Sequence, residues 1–172
     1  MFFKRHQAEL NDLQHTITEQ NGLLEAINRS MAVIEFDLEG VVLKANDNFL
    51  KTMGYRAEQV IGQPHRLFCT PEFGRSAQYT ELWSRLKNGR FQSGTFERIN
   101  SQGQPVWLEA NYNPIKDASG RVVKVVKFAM NVTTKVQQES EANAKLQAID
   151  RAMAVIEFDL DGGILTANQN FL

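Results

Sequence analysis

One stretch of this chain occurs twice. Residues 29–50, RSMAVIEFDLEGVVLKANDNFL, return at 151–172 as RAMAVIEFDLDGGILTANQNFL, with most positions identical. Self-similarity at a fixed offset marks a tandem domain, each unit a little over a hundred residues long. The match extends upstream, where Leu24 and Ile27 correspond to Leu146 and Ile149, so each unit carries its own leading helix. The second copy stops in mid-pattern at Leu172. The expectation is a piece of a longer protein, with residues 151–172 the start of a second domain.

The 172 residues are 42% hydrophobic, enough for one full domain with a real core. A net charge of −1 with both signs interspersed offers no basic face for nucleic acid. No apolar run reaches the length of a bilayer span, so no membrane contact is expected from this segment. The opening Met1-Phe2-Phe3-Lys4-Arg5-His6 is too short in apolar residues for a secretion signal, and Cys69, alone, cannot form an internal disulfide. Together these point to the cytoplasm.

Residues 4–28 read as a helix: Leu10, Ile17, Leu24 and Met31 are spaced by seven, with Leu13, Gln20 and Ile27 as a second seam. Such a helix serves a dimer coiled coil or packs on its own domain's sheet. Met31–Asp37 alternates, with Ala32, Ile34 and Phe36 on one face, and Val41–Ala45 returns as the second strand of a hairpin. Asn46 caps a short helix, Asp47–Met53, which Gly54 ends; another, Ala57–Ile61, is stopped by Gly62. Pro64 and Pro71 mark a loop, and Glu72–Lys87 reads as the longest helix of the domain interior. Three strands follow, Phe91–Asn100, Gln104–Lys116 and Arg121–Val132, joined by hairpin turns. The expected fold is α+β, one five-stranded antiparallel sheet with short helices on one face. Its segments are a leading amphipathic helix (1–28), the domain (29–133), a linker helix (134–150) and the begun second copy (151–172).

That order resembles the PAS family over essentially all of 29–133. The resemblance is carried by Ala45-Asn46-Asp47-Asn48-Phe49, Met53-Gly54-Tyr55, Glu58-Gln59-Val60-Ile61-Gly62, Gly103-Gln104-Pro105-Val106-Trp107 and Asn131-Val132-Thr133. It implies a pocket for a ligand or cofactor between sheet and helices, and flanking helices that pass the signal on and pair in a homodimer. The stretches Phe96–Ile115 and Val126–Thr133 are similar to the PAS pairs of soluble or aerotaxis-type methyl-accepting chemotaxis proteins, the biofilm-dispersion type included. This implies an output region docking to a histidine kinase through an adaptor. One departure stands at Asn131, where the family usually places an aspartate: an amide cannot make a charge-assisted pair.

Alternation along Val106–Tyr112 puts Val106, Leu108, Ala110 and Tyr112 on the core side and turns Trp107 outward. Trp107 is then either a relay contact or simply a cover for the sheet; both predict burial. With Asn131 and Thr133 it forms the expected relay set. Leu67, Phe68, Phe73, Leu82, Trp83, Phe96 and Tyr112 either line a cavity or form a plain packed core. Arg98 shares a face with Phe96; if that face is the inner one, its guanidinium needs an anionic partner or a polar ligand. His65 is either an axial haem ligand or an ordinary capping or surface residue. Flavin-adduct photoreceptors of the family keep a cysteine where Pro64-His65-Arg66 stands, and a glutamine where Ala129 stands, so adduct photochemistry is excluded. The cofactor reading stays open among FAD, haem and none.

Catalytic readings find no support: no Ser/His/Asp or Cys/His set, no phosphate-cradling glycine loop, no paired cysteines for zinc. Glu35, Asp37 and Glu39 are hairpin acids, and Glu35 recurs as Glu157. The expectation is a sensor, not an enzyme, which shifts its sheet on a ligand or redox change and reorients the helix at 134–150. The alternatives are a ligand-free dimerisation module, or the sensor segment of a histidine kinase or cyclic-dinucleotide enzyme.

Overall fold

A computed structural model describes residues 2–172, with side chains for all of these except residues 2–5 and 8. Met1, at the head of the expected leading helix, lies outside the described residues. The chain divides into two compact units, residues up to Asn131 and Val132–Leu172.

In the first unit α1 (Phe2–Ser30) leads into β1 (Ala32–Phe36) and β2 (Val42–Ala45), then α2 (Asp47–Met53) and α3 (Ala57–Val60). A 3-10 turn (His65–Phe68), α4 (Pro71–Gly74) and α5 (Ala77–Lys87) follow, and β3 (Gln92–Ile99), β4 (Pro105–Lys116) and β5 (Val122–Asn131) close the unit. The five strands form one antiparallel sheet in the order β2-β1-β5-β4-β3, so the N-terminal hairpin joins the C-terminal meander through β1 and β5. The α+β reading from sequence holds. On the core side lie Ala32, Ile34 and Phe36 of β1, Val106, Leu108, Ala110 and Tyr112 of β4, and Val125 and Ala129 of β5, all buried. Period-two alternation is what a sheet covered on one face demands.

Two local features differ from the sequence reading. The helix expected over Glu72–Lys87 is two helices. Thr70 and Ser76 each cap a new start, accepting from the Phe73 and Tyr79 backbone N–H groups at 3.3 and 3.2 Å. Hydroxyl caps offer the backbone an alternative to a continuous ladder, and the chain takes it at Gly74-Arg75-Ser76. The segment read as a loop after Pro64 winds into the 3-10 turn that carries His65. Gly40 matters to the helical cover: at φ 81° a Cβ here would meet the Trp83 ring at 2.8 Å, so only glycine lets Trp83 lie against the hairpin turn.

Asn46 and Asn48 fasten the end of α1 to this core. The Asn46 side-chain oxygen accepts from the Val33 and Phe49 backbone N–H groups, each at 2.9 Å. Its amide nitrogen donates to the carbonyl of Met31 at 2.8 Å and of Asn28 at 3.2 Å. Asn48 donates to the Asn28 and Arg29 carbonyls at 2.9 and 3.0 Å. The orphan carbonyls of a helix C-terminus are thus met by side chains from the following hairpin and helix.

The second unit holds α6 (Thr133–Ala152) and a two-stranded sheet of β6 (Ile156–Phe158) and β7 (Ile164–Ala167). Among the described residues no helix is long and apolar enough to cross a membrane.

Candidate functional site

The inner face of the sheet is apolar except where three neighbouring strands each contribute a polar side chain. Arg98 comes from β3, Tyr112 from β4 and Lys127 from β5; Tyr112 and Lys127 sit directly opposite each other in the ladder. His65, on the 3-10 turn, closes the group from the helical side, held by its backbone N–H donating to the Gly40 carbonyl at 2.7 Å. Arg98 is 3% exposed, Lys127 2%, His65 1% and Tyr112 not at all.

Hydrogen-bond contacts link these side chains. Arg98 Nη2 donates to the Tyr112 hydroxyl oxygen at 3.0 Å, and that hydroxyl lies 3.0 Å from His65 Nε2. Burial, together with the nearby Arg98 and Lys127 charges, holds the His65 imidazole well below its ordinary value, so the ring is neutral. On the other side of the ring, Nδ1 lies 3.7 Å from Cys69 Sγ, and the thiol lies 3.7 Å from the His65 carbonyl. The result is a buried chain of polar contacts from Arg98 through Tyr112 and His65 to Cys69.

Charge is less well matched than hydrogen bonding. Lys127 Nζ sits over the Tyr112 ring, 4.8 Å from its centroid, and Arg98 lies over Phe96 and Phe73 at 5.0 and 5.2 Å. Burial, with Arg98 beside it, pulls the Lys127 ammonium down, partly countered by Tyr112. Burial pushes the Tyr112 hydroxyl up, but Lys127 and Arg98 outweigh it and the net shift is downward. Among the described residues neither cation pairs with a carboxylate; the titratable groups around them are Tyr112, Cys69, Tyr79 and His65. Among the described residues Arg98 Nε is buried without a hydrogen-bond partner. Burial raises the Cys69 thiol, which makes it a poor nucleophile.

Of the residues singled out from sequence, His65, Phe68, Phe73, Trp83, Phe96, Arg98 and Tyr112 come together. His65 has the rings of Phe36, Tyr79, Trp83, Tyr112 and Phe68 around it at 5.3–6.5 Å between centroids. Leu67 packs at the edge of this core, half-buried. Trp107 faces the other side of β4, half-buried and paired in register with Glu97. Asn131 is exposed at the end of β5, and Thr133 opens α6. A porphyrin or isoalloxazine ring does not fit the cluster as packed without displacing several of its side chains, and His65 Nε2 already faces the Tyr112 hydroxyl. Among the described residues no three His, Cys, Asp or Glu side chains converge on a metal site.

Sequence reasoning missed Lys127, Tyr79 and the closeness of Cys69 to His65. Lys127 had a signal: it alternates with Val125 and Ala129, which marks a lysine on the core face of a strand.

A family profile described as the PAS fold matches residues 42–129. The chain is 48% identical over 149 residues to the biofilm dispersion protein BdlA of Pseudomonas aeruginosa, which covers 87% of this chain and 36% of that protein. It is 30% identical over 99 residues to the aerotaxis receptor of Escherichia coli, covering 58% of this chain and 19% of the receptor. The chain therefore spans about a third or less of the length of these relatives. Among solved structures, a PAS domain from Colwellia psychrerythraea superposes with a TM-score of 0.59 at 24% identity, over 69% of this chain and 98% of that one. An RNA-binding light-oxygen-voltage receptor superposes at 0.61 with 21% identity, over 74% of this chain and 37% of that one. At these identities the structures speak for the fold alone.

Proposed function

This chain belongs to the PAS-fold family, and from that premise we propose that it is the cytoplasmic sensory and relay segment of a chemotaxis-type transducer. It detects a change at the His65–Tyr112–Arg98–Lys127 cluster and passes it to the helices that flank the domain. It acts by biasing a conformation, not by catalysing a reaction. The observation that carries this is the continuity of β5: the strand that bears the buried Lys127 runs to Asn131, and α6 begins at Thr133. A change in the charge or position of Lys127 therefore acts on the strand end that launches the exit helix. Asn131 and Thr133 are the junction of that relay, and Trp107, on the far face of the neighbouring strand, its outer contact.

The similarity to two bacterial sensory proteins supports the transducer reading, with a homodimer as the working unit. Along α1, Leu10, Leu13, Ile17 and Leu24 are exposed at near-heptad spacing, as a helix that pairs with its copy requires. An adaptor and a histidine kinase are the partners this reading implies downstream.

Hydrogen exchange on the full chain tests it. Lys127→Met and Tyr112→Phe are expected to change exchange along Thr133–Ala152, while the outward-facing Arg121→Gln leaves it as in the wild type. Identical exchange of α6 in all four proteins would remove the sensory relay, and a monomer by analytical ultracentrifugation would remove the paired helices.

A further inference from the structure

Two cations, Arg98 and Lys127, are buried under the sheet, and among the described residues no carboxylate faces them. Desolvating an unpaired charge is costly, and buried charges are as a rule paired or hydrogen-bonded. Tyr112 meets Arg98 only in part: Nη2 donates to its hydroxyl and Nη1 to the Glu97 carbonyl at 2.6 Å, which leaves Nε without an acceptor.

A cleft of about 200 Å³ opens next to this group, between α4, α5 and β3. Its apolar wall is Phe73, Leu82 and Phe96. Phe73 and Phe96 are also the two rings that hold the Arg98 guanidinium, at 5.2 and 5.0 Å. Both rings are half-buried, and Phe73 sits on the one-turn helix α4, beside the break that Ser76 imposes. They form the partition between cleft and cation. At the rim, Glu81 is already matched by Arg85 at 2.6 Å, so its charge does not bar an anion.

We propose that this cleft admits a small carboxylate with an apolar body, whose carboxylate is taken by Arg98 once Phe73 turns aside, with Lys127 and the Tyr112 hydroxyl behind. The planar guanidinium fork suits a carboxylate, and the cleft volume limits the body to about one aromatic ring or a short aliphatic chain. The proposal deepens the sensory reading of the same cluster and rests on it for the consequence of binding, not for binding itself.

Isothermal titration of the full chain with benzoate, its neutral isostere benzamide and inorganic phosphate tests it. Benzoate is expected to bind at least about tenfold more tightly than benzamide, the scale of a hydrogen bond to a charged group, and more tightly than phosphate. Arg98→Met is expected to abolish that preference. Leu82→Trp, which puts a larger side chain in the cleft wall at a position other than either cation, is expected to weaken benzoate similarly, and circular dichroism reports whether each variant is folded. Equal binding of benzoate and benzamide, preference for phosphate, no binding, or full benzoate affinity in either folded variant each overturns the proposal. Benzoate binding that leaves α6 exchange unaltered upholds the site and sinks the relay. Absence of binding, with α6 exchange still altered by Lys127→Met, does the reverse.

Discussion

The two copies of the repeat adopt the same local structure in opposite surroundings. In the first, Ile34 faces Ala45 and Phe36 faces Val42; in the second, Ile156 faces Ala167 and Phe158 faces Ile164, with the same register slip after the glutamate. The asparagine clasp is copied too. Asn168 accepts from Val155 N–H at 2.9 Å and donates to the Met153 and Asp150 carbonyls at 2.7 and 2.8 Å, and Asn170 repeats the bonds of Asn48. Yet Phe36 is fully buried while Phe158 is 54% exposed, and Phe49 is 1% exposed against 49% for Phe171. Hydrogen bonding in this motif is a property of the segment itself. Burial is lent by distant elements: β5 beside β1, and the rings of α5 and the 3-10 turn above it.

The sharpest way to break the comparison is to remove the same ring from each copy. Phe36 packs edge-on against His65 and Trp83 at 5.3 and 5.5 Å, so Phe36→Ala leaves a core cavity and is expected to cost about 3–5 kcal/mol. Phe158→Ala is expected to stay within about 0.5 kcal/mol. Both tryptophans, Trp83 and Trp107, lie in the first unit, so denaturant melts followed by tryptophan fluorescence read that unit alone. Equal effects would mean that Phe158 contributes to the stability of the first unit as much as Phe36 does.

Acid should separate the copies next, because only the first has a buried histidine against its phenylalanine. Folded, His65 is neutral, with its pKa held well below 6.5 by burial and by Arg98 and Lys127. Unfolded, it titrates near 6.5. Below that pH the unfolded chain takes up a proton that the folded chain refuses, so this contribution is whole above about 6.5 and is lost as pH falls toward the folded value. The slope is at most about 1.4 kcal/mol per pH unit. Among the described residues the titratable groups facing the ring, namely Tyr112, Cys69, Tyr79, Arg98 and Lys127, include no carboxylate to reverse the sign. His65→Gln is expected to flatten the stability profile between pH 6.5 and 5; an unchanged slope would assign the acid sensitivity elsewhere.

The clasp comes third. Asn46→Ala strands the Val33 and Phe49 N–H groups and frees the end of α1, for an expected loss of about 1–2 kcal/mol by the same fluorescence melts. Asn168→Ala removes the same bonds where water can replace them, and should not move that transition.

What could be read from sequence follows the same division. Strand faces, the Asn46 cap and the outward turn of Trp107 depend on neighbours a few residues away, and alternation reveals them. Arg98 was legible as a conditional, inner or outer, because its face hung on whether β3 kept its alternation against β4. Lys127 went unread although its alternation was plain, because a lysine is so rarely fully buried that composition argues the other way. The contact between Tyr112 and His65 joins residues 47 positions apart, and the split of the expected long helix turned on a single serine cap; neither leaves a periodic trace.

The smallest expected difference lies on the outer face of the hairpin. Glu35 is opposite Lys44 in the β1–β2 ladder and bonds Lys124 of β5 at 2.6 Å, with the two side chains 23% and 36% exposed. Its counterpart, Glu157, faces Thr166. Both glutamates therefore have the same backbone, but only Glu35 has cations on both neighbouring strands. A partly exposed pair of this kind contributes about 0.2–1 kcal/mol after screening and side-chain ordering. Glu35→Gln is expected to destabilise the first unit by that amount at low salt and by less at 1 M, where the Debye length falls to about 3 Å. Glu157→Gln should be silent at either salt. A Glu35→Gln cost that survives high salt would show that the carboxylate acts through short hydrogen bonds rather than through its charge, and that the outer face of the first copy is ordered as tightly as its core.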